Sequence, residues 1–462
     1  MNREIPREIF KAYDIRGIVD HSLTEEGVFL VGKALSDILL RQSQKNVFIG
    51  RDGRTSGKRL SKALVQGLKT CAELDVIDIG QATTPMLYYA STQHGEGNGV
   101  MVTGSHNPPE YNGLKILITG SALSGDEIQN IYFQIRKLDK IQPQKIDGRY
   151  VNIYNMYRKA ITSRICLERK LKIAIDCGNG IAGKFAPDIF SAIGCEVEKL
   201  YCEVDGSFPN HHPDPSQPKN LRDLRNHLLK GDADIGLAFD GDGDRLAVVT
   251  NTGQIINPDR LLMLFASDVL SRNPNSAIIF DVKCSSLVAP WIKHHGGIPE
   301  MYNTGHSLIK KKMLETNAVL AGEMSGHIFF KDRWFGFDDG IYAGARLLEL
   351  LSKTNSITTI LEKLPEAVNT PEIHIDLKVE GKNHNFIKNL QKSMPFKNAR
   401  KLITIDGIRA EYENGFGLIR ASNTTPVLVL RFEAKDSASI EIIKEEFRAA
   451  IRNIDPGIKP TF

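Results

Sequence analysis

Three aspartates alternate with glycine in the segment DGDGDR, residues 240–245. The segment follows an apolar run (235–239), which predicts a strand that ends at the first aspartate. If the chain stays extended, the side chains of Asp240, Asp242 and Asp244 lie on the same side of it, and the glycines relax the backbone so that they converge. Carboxylates that crowd together repel unless a cation lies between them. The spacing therefore predicts a metal site, with an acidic surface turn as the simpler alternative.

Hard oxygen ligands suit either Mg²⁺ or Ca²⁺. A calcium-binding loop places glycine at its sixth position and glutamate at its twelfth, but Arg245 and Asn251 stand there. Mg²⁺ usually binds beside phosphate oxygens, and Arg245 is also a good phosphate ligand. The segment therefore favours one Mg²⁺ per chain next to a phosphate.

A second unusual segment is GVMVTGSHNPPEYNG, residues 99–113, in which an apolar run ends in Ser105 and His106. Turn formation accounts for Gly104, Asn107 and the two prolines that follow. It does not account for a serine and a histidine at the end of a buried strand. We therefore treat both as candidate functional residues.

The loop GNGIAGKF, residues 178–185, follows the apolar run KIAID and fits two phosphate-binding patterns. Its glycines match G-x-G-x-x-G, and Glu198 lies at about the distance of a ribose-binding acid, so a dinucleotide site is an alternative. Phe185 stands where a P-loop needs serine or threonine, which excludes an NTPase. A glycine-rich turn that only packs closely is the more frequent explanation of so short a motif.

The segment RASNTTP, residues 420–426, lies between two strand-like runs. Arginine with several hydroxyl and amide groups is suited to binding phosphate. An ordinary polar hairpin loop fits this segment equally well.

Composition limits the class of protein. The chain has 462 residues and a net charge of +4, which is too small for a nucleic-acid-binding protein. The N-terminus has no apolar segment of a signal peptide, and no apolar run could cross a bilayer. Its six cysteines form no C-x-x-C pair and are expected to be reduced. We expect a cytoplasmic protein that is a monomer, with a dimer as the alternative, and that binds neither nucleic acid nor membranes.

Apolar runs that end in loops before helix-like segments repeat three times, as in βα units. After residue 369 the chain alternates apolar and polar residues like antiparallel strands, and Asn414-Gly415 is a favourable hairpin turn. We predict three related α/β domains with mixed sheets and a smaller C-terminal α+β domain around one central cleft. Their predicted ranges are 1–150, 151–256, 257–368 and 369–462, and residues 141–150 are interpreted as a linker.

Taken together, TGSHNP, DGDGDR, GEMSGH and RASNTTP resemble, in this order and spacing, the motifs of the α-D-phosphohexomutases. FKAYDIRG (10–17) is similar to the first motif of that family, so the resemblance extends from about residue 10 to about residue 435. Within the family, the chain resembles the bacterial phosphomannomutase/phosphoglucomutase group. Phosphoglucosamine mutase is the alternative, although those enzymes usually carry GEQSGH and an R-x-S-G-T-E-P loop.

The resemblance implies an isomerase of hexose 1- and 6-phosphates, with mannose or glucose as the sugar. Ser105 would be a phosphoserine that passes its phosphate to the free hydroxyl of the sugar phosphate. A hexose 1,6-bisphosphate would turn around in the cleft and return its other phosphate. Mg²⁺ would be held by a Ser105 phosphate oxygen and by Asp240, Asp242 and Asp244.

The resemblance also assigns the remaining site residues. Lys115 and His327 would exchange protons with the sugar hydroxyl, and we expect neighbouring cations to bring the lysine pKa toward a useful value. His106 and Arg245 would donate to the transferring phosphate, and Arg16 would help to position the phosphoserine. The implied substrate-binding residues are Tyr13, Lys283, His306, Glu323, Ser325, Arg420, Ser422, Asn423 and Thr424.

Two function classes outside the mutases remain as alternatives. An NAD-dependent oxidoreductase would use the GNGIAG turn but would leave DGDGDR and RASNTTP unexplained. A sugar-phosphate binder without catalysis would not need Ser105, the three aspartates and Arg245 all intact.

Overall fold

The structure is a computed structural model that describes residues 5–138, 147–354, 356–379, 381–423 and 425–462. The chain divides into two compact units. Unit 1 consists of residues 1–258, 306–320 and 325–362, and unit 2 consists of residues 259–305, 321–324 and 363–462.

The N-terminal part of unit 1 is built on a mixed sheet of seven strands in the described residues. The strands are β1 (Ile15–Ile18), β2 (Asn46–Arg51), β3 (Asp75–Gln81), β4 (Gly99–Val102), β5 (Tyr111–Ile118), β6 (Ser121–Ala122) and β7 (Arg149–Tyr150). A 3-10 helix (Arg7–Ile9) precedes them, and the helices are α1 (Glu25–Arg41), α2 (Gly57–Leu68), α3 (Thr84–His94) and α4 (Asp126–Ile135). β2 is parallel to β3 and β4, whereas β5 is antiparallel to β1 and β4. Because β2 and β4 are parallel neighbours, the loops that follow these two strands begin at the same edge of the sheet.

A second mixed sheet follows in unit 1, in the order β12-β11-β10-β8-β9. Its elements are α5 (Tyr154–Thr162), β8 (Lys172–Asp176), α6 (Ala186–Ala192), β9 (Glu196–Leu200), α7 (Arg222–Lys230), β10 (Ile235–Phe239), β11 (Leu246–Thr250) and β12 (Ile255–Ile256), with 3-10 helices at Ile181–Lys184 and Pro218–Leu221. β8 is parallel to β9 and β10, and β10 is antiparallel to β11. The DGDGDR segment is therefore the connection between two fully buried antiparallel strands.

The segment between Pro258 and Glu362 contributes to both units. Its elements are α8 (Pro258–Arg272), β13 (Ala277–Asp281), α9 (Val288–His294), β14 (Ile298–Tyr302), α10 (His306–Thr316), β15 (Leu320–Gly322), β16 (Ile328–Phe330), α11 (Gly340–Ser352) and α12 (Ile357–Glu362). In unit 2, β13 and β14 are parallel neighbours. In unit 1, α11 is almost entirely buried.

The C-terminal part of unit 2 is an antiparallel sheet covered by two helices. Its elements are β17 (Val368–Asn369), β18 (Ile373–Asp376), α13 (Lys382–Ser393), β19 (Lys401–Ile403), β20 (Ile408–Tyr412), β21 (Gly415–Ala421), β22 (Val427–Ala434) and α14 (Ser437–Ile454). Every strand pair in this sheet is antiparallel. Apolar residues of the strands and of α14 form its core.

The predicted fold class is confirmed for the mixed α/β sheets and the smaller α+β C-terminal part. The hairpin turn is shifted by one residue, because Tyr412 pairs with Gly415 and the turn is Glu413-Asn414. Gly415 lies in the strand, where a Cβ would meet the Glu433 carbonyl oxygen at 2.0 Å. Most of the expected linker lies outside the described residues, and the domain boundaries stay a prediction. Among the described helices, none combines the length and apolar character needed to span a membrane.

Asp339 gives unit 1 a pH-dependent stability. Its buried carboxylate caps α11 by accepting from the Tyr342 N–H at 2.9 Å, and it also accepts from the Tyr157 hydroxyl. Burial raises the pKa of Asp339 to about 7 despite these hydrogen bonds. The folded chain therefore keeps a proton that the unfolded chain releases near pH 4, so this contribution to the unfolding free energy is lost as the pH rises from 4 to 7.

We expect the unfolding free energy of the wild type to fall by about 4 kcal/mol relative to Asp339→Asn between pH 4 and pH 7. Asparagine keeps the helix cap but does not titrate. Urea unfolding of both proteins across this pH range measures the difference. Parallel pH profiles of the two proteins would contradict the assignment.

Candidate active site

Ser105 lies in the loop that follows β4, as the sequence predicted. The residue is only 2% exposed, and its backbone has a positive φ of 48°, a strained conformation for a side chain other than glycine. Its N–H donates to Thr103 Oγ1 at 2.8 Å, and its Oγ donates to Asp240 Oδ2 at 2.9 Å. The strained loop thus holds the serine hydroxyl against Asp240, the first carboxylate of DGDGDR (residues 240–245), which is called the metal segment below.

Arg54 fixes this loop, and the sequence analysis missed it. Its buried guanidinium donates to four carbonyl oxygens of the loop, at 2.5–2.8 Å, those of Ser105, Asn107, Pro108 and Tyr111. Asp52 supports it by accepting from the Thr103 hydroxyl at 2.7 Å and the Gly104 N–H at 3.3 Å. The segment RDGR, which follows the apolar run of β2, could have indicated a functional loop, because an apolar run that ends in charged residues is the same pattern as in the other site segments.

The three aspartates of DGDGDR converge, so that one carboxylate oxygen from each lies within 4.8 Å of the others. The backbone of this segment is not extended but turns between Asp240 and Arg245. The reason is that Asp240 Oδ1 accepts from the N–H groups of Gly243, Asp244 and Arg245 at 3.0–3.2 Å. Gly243 has a φ of 77° in this turn. The turn brings the carboxylates together more closely than an extended strand would.

Burial and the two neighbouring carboxylates raise the pKa of Asp240 well above its usual range. Oδ1 of Asp242 has no hydrogen-bond partner among the described residues, and Oδ1 of Asp244 has only His327 Nε2 near it there, at 3.3 Å, although both carboxylates are fully buried. Unpaired buried carboxylate oxygens are costly unless a cation binds them. The three residues therefore fit a hard divalent cation such as Mg²⁺.

Glycine at position 241 allows the metal segment and the serine loop to touch. A Cβ at this position would lie 2.3 Å from the carbonyl oxygen of Ser105. Because that atom belongs to the backbone of a loop fixed by Arg54, it cannot move aside easily. A side chain here would separate the serine from the metal segment.

Lys115 lies on β5 and points between the aspartates. Its Nζ is 2.7 Å from Asp242 Oδ2 and 2.6 Å from Asp244 Oδ2. Burial opposes its charge, but the surrounding carboxylates raise its pKa above the usual lysine value. This is the opposite of the expected lowering by neighbouring cations, because the nearest charges are negative.

His327 and Arg245 lie on the other side of Asp244. His327 Nε2 is 3.3 Å from Asp244 Oδ1 and 3.3 Å from Arg245 Nε, and its Nδ1 is 2.8 Å from Ser325 Oγ. The backbones of Arg245 and His327 also pair as an isolated antiparallel bridge. His327 and Arg245 are therefore held together at the edge of the metal segment.

His106 and Arg16 complete the surroundings of the serine. His106 Nδ1 is 3.2 Å from Ser105 Oγ, and burial together with nearby cations lowers the pKa of this imidazole well below its usual range. Arg16 lies on β1 and donates to Asn107 Oδ1 at 2.5 Å, with an ion pair to Asp14 on its other side. A neutral imidazole therefore lies beside the hydroxyl, and the Arg16 guanidinium is held against Asn107 of the same loop.

A second histidine lies beside His327. The His306 ring is stacked 5.5 Å from the His327 ring and touches Tyr13 edge-on at 6.4 Å. Lys310, one turn along α10, lies 3.2 Å from His306 Nδ1 and donates to Asp338 Oδ1 at 2.7 Å. The buried pair Lys310 and Asp338 holds His306 in place. Neither residue was predicted, because nothing in their local sequence distinguishes them from surface charges.

Unit 2 holds the other predicted residues. Lys283 is buried and donates to Glu372 Oε1 at 2.7 Å, and its Nζ lies 3.9 Å from Asp281. Glu323 is also buried and accepts from the Gly305 N–H at 2.6 Å. Burial, together with the charge of Glu323, raises the pKa of Asp281, whereas the charge of Lys283 opposes the rise.

Arg409 and Arg431 fix the loop of Lys283, and neither was predicted. Arg409 donates to the carbonyl oxygens of Val282 and Cys284 at 2.6–2.7 Å, and Arg431 donates to that of Lys283 at 2.5 Å. Three successive carbonyls are thus bound by two buried arginines.

The RASNTTP loop connects β21 and β22. Arg420 Nε donates to Asp406 Oδ2 at 2.9 Å, and the same oxygen accepts from the Thr304 N–H. Asn383, which was not predicted from the sequence, donates to the carbonyl oxygens of Ser422, Thr425 and Val427 at 2.9–3.2 Å. Asn423 lies half-buried in the loop, and Thr424 is outside the described residues.

The GNGIAG turn is a packing turn. A Cβ on Gly183 would lie 2.1 Å from the Cys202 carbonyl oxygen, and one on Gly180 would lie 3.0 Å from Gly241 Cα. Glu198 is paired with Lys172 and His227. The glycines therefore serve backbone contacts, which removes the grounds for the dinucleotide alternative.

Comparison with known protein families matches this chain to four domains in order. They are described as phosphoglucomutase/phosphomannomutase alpha/beta/alpha domain I (residues 7–142), domain II (153–253), domain III (257–368) and C-terminal domain (375–450). Together these matches span most of the chain.

Individual relatives agree with the family match. A phosphoglucomutase of Neisseria meningitidis serogroup A is 51% identical over 451 residues, 97% of this chain and 98% of the relative. A phosphomannomutase/phosphoglucomutase of Pseudomonas putida is 52% identical over 99% of this chain and 98% of its own length. A crystal structure of a phosphoglucomutase/phosphomannomutase family protein from Burkholderia thailandensis superposes with a TM-score of 0.92 at 47% identity, covering 99% of this chain and all of that one. The chain belongs to the phosphoglucomutase/phosphomannomutase family.

Proposed function

We propose that this enzyme interconverts hexose 1-phosphates and hexose 6-phosphates of glucose and mannose, through a phosphoserine at Ser105 and a hexose 1,6-bisphosphate intermediate. Family membership supports the mutase class. The observation that carries the assignment to Ser105 is its hydroxyl, 2.9 Å from Asp240 in a loop fixed by Arg54. The names of the relatives cited above support both sugars, and neither supports glucosamine.

Asp240, Asp242 and Asp244 would hold one Mg²⁺, together with an oxygen of phosphorylated Ser105. When bound, the ion would supply positive charge to the phosphate that is being transferred. His106 lies beside Ser105, Arg245 lies 3.9 Å from Asp240 Oδ2 and Arg16 is bonded to Asn107. His106 and Arg245 would donate to the remaining phosphate oxygens, and Arg16 would help to position the phosphoserine. A preorganised set of donors stabilises the charge that spreads over the phosphoryl oxygens during transfer.

Lys115 and His327 would exchange protons with the sugar hydroxyl. Lys115 Nζ lies 2.6 Å from Asp244 Oδ2, and His327 Nε2 lies 3.3 Å from Asp244 Oδ1. Both side chains are therefore held by a residue that would also bind the metal. Lys115 carries its proton while the carboxylates surround it, which suits a donor to the bridging oxygen. His327 has a ring nitrogen directed at Asp244 and Arg245, where a hydroxyl of the sugar would have to approach.

The remaining residues would hold the sugar phosphate. Arg420, Ser422, Asn423 and Thr424 would bind the phosphate that is not reacting, and Glu323 with Ser325 would bind sugar hydroxyls that are similarly placed in both orientations. Lys283, His306 and Tyr13 would add contacts around the substrate. The proposal includes four domains, with the serine, metal, sugar and phosphate segments on 1–150, 151–256, 257–368 and 369–462, and a cytoplasmic monomer as the working form.

Phosphorus NMR tests this function. Glucose 1-phosphate and mannose 1-phosphate are incubated separately with the protein, Mg²⁺ and a trace of the matching 1,6-bisphosphate. We expect the 6-phosphate signal to appear in both samples and to depend on the bisphosphate. Conversion of one sugar would restrict the specificity to it. Conversion of neither, with conversion of glucosamine 1-phosphate, would overturn the proposal in favour of a phosphoglucosamine mutase.

Arg54 is expected to control the rate without touching the substrate. Arg54→Lys keeps a positive charge but cannot donate to four carbonyl oxygens at once. Because misplacing a nucleophile by about 1 Å costs roughly 10²-fold in rate, we expect kcat to fall by about this factor while KM changes little. Steady-state kinetics, with thermal unfolding as a check on folding, measures the effect. A large rise in KM at constant kcat would contradict a role in placing Ser105.

A further inference from the structure

Two cysteines that the proposed mechanism does not use lie next to each other in unit 1. Cys177 and Cys202 have their sulfur atoms 3.7 Å apart, and neither forms a disulfide. Cys177 follows β8 and Cys202 lies two residues beyond the end of β9, and these strands are parallel neighbours. The register pairs Asp176 with Leu200, so the two cysteines leave the ends of neighbouring strands at the same edge of the sheet.

The two thiols differ in how easily a reagent reaches them. Cys177 is fully buried, and the adjacent Cys202 together with burial raises the pKa of its thiol. Cys202 is partly exposed. A small oxidant therefore meets Cys202 first, and Cys177 is placed to react with the product.

The pair is connected to the candidate active site through the GNGIAG turn. The turn begins at Cys177, whose carbonyl oxygen accepts from Gly180 N–H at 2.7 Å. Gly183 packs against the backbone of Cys202 so closely that no side chain would fit there. Ile181 N–H then donates to the Gly241 carbonyl oxygen at 3.1 Å, inside the metal segment.

We infer that Cys177 and Cys202 are a redox-active pair that reduces hydrogen peroxide and closes to a disulfide, which displaces the metal segment. The thiolate of Cys202 attacks the O–O bond, so that an S–O bond forms and hydroxide leaves as water after protonation. The Cys177 sulfur then attacks the Cys202 sulfur; the S–S bond forms, the S–O bond breaks and a second water leaves with the Cys177 proton. The two thiols are oxidised by two electrons and the peroxide is reduced to two waters.

Closing the pair requires the sulfurs to approach by about 1.7 Å, from 3.7 Å to a disulfide length of about 2.05 Å. Cys177 immediately precedes the turn and the Cys202 backbone packs against Gly183 at its other end, so we expect part of this movement to displace the turn. Gly241 touches both the turn and the Ser105 carbonyl, so a shift there misaligns the serine and the aspartates. The predicted loss of phosphate transfer rests on the proposed function, whereas disulfide formation does not.

The reduced protein is treated with hydrogen peroxide, its free thiols are then blocked with N-ethylmaleimide, and peptides are mapped by mass spectrometry. We expect a disulfide between Cys177 and Cys202, a loss of mutase rate of about 10²-fold, and recovery of the rate with dithiothreitol. Cys202→Ser should abolish both the disulfide and the loss of rate, and Cys177→Ser provides a second variant. Cys166→Ser, which removes an exposed cysteine outside the pair, should behave like the wild type.

Two results would overturn the inference. One is the absence of the Cys177–Cys202 disulfide at peroxide concentrations that oxidise Cys166. The other is a complete disulfide with an unchanged mutase rate. If the reduced enzyme shows no mutase activity, the proposed function fails, and mass spectrometry still decides whether the pair closes.

Discussion

Replacing Ser105 with alanine is expected to lower the rate of hexose phosphate isomerisation by roughly 10⁵-fold, the scale seen when a nucleophile is removed from an enzyme. The physical reason is that the hydroxyl 2.9 Å from Asp240 is the proposed attachment point of the phosphate. His106 Nδ1 lies 3.2 Å away, and burial with nearby cations lowers the pKa of this imidazole well below its usual range, so the ring is neutral. Phosphorus NMR of glucose 1-phosphate with Mg²⁺ and bisphosphate measures the remaining rate.

A mass measurement makes the same test without turnover. Wild-type protein incubated with glucose 1,6-bisphosphate should gain one phosphate on the peptide that contains Ser105, and Ser105→Ala should gain none. Ser163→Ala, which removes a hydroxyl that donates to the Ala160 carbonyl oxygen, should keep both the rate and the phosphate. A Ser105→Ala protein with near wild-type turnover would show that the phosphate passes through another group.

The metal segment gives the second large effect. Asp242→Asn is expected to lower kcat/KM by about 10³-fold at moderate Mg²⁺, because a bound metal contributes several kcal/mol to the stabilisation of the transition state. Asparagine keeps the shape of the side chain but removes one of the three charges that lie within 4.8 Å of one another. It also removes the carboxylate that accepts hydrogen bonds from Lys115 Nζ and from the Thr84 hydroxyl.

Mg²⁺ titrations of activity separate a metal role from a structural one. The wild type should lose activity in EDTA and recover it with Mg²⁺, and Asp242→Asn should recover only at much higher Mg²⁺. Asp188→Asn, which breaks a surface ion pair with Arg158, should titrate like the wild type. A lower rate with an unchanged Mg²⁺ requirement would place Asp242 outside the metal site.

Much of this protein is determined by short segments of its sequence. An apolar run that ends in polar residues specifies a buried strand with a functional loop at its end, because strand formation depends on local alternation and burial. For this reason Ser105, the DGDGDR segment and the RASNTTP loop are recognisable in the amino-acid sequence alone. The antiparallel C-terminal sheet is predicted for the same reason. The predicted hairpin turn between β20 and β21 is one residue too late, because Gly415 packs closely against β22 and therefore belongs to the strand.

Only the tertiary structure decided which distant residues support these loops. Arg54 is 51 residues from Ser105 along the chain, and nothing in its local sequence shows that four loop carbonyls converge on it. The pKa of Lys115 depends on carboxylates more than 120 residues away, so the sequence led to the wrong direction of the shift. Hydrogen bonds and charges act through space over a few ångströms, and their partners are set by packing rather than by spacing along the chain.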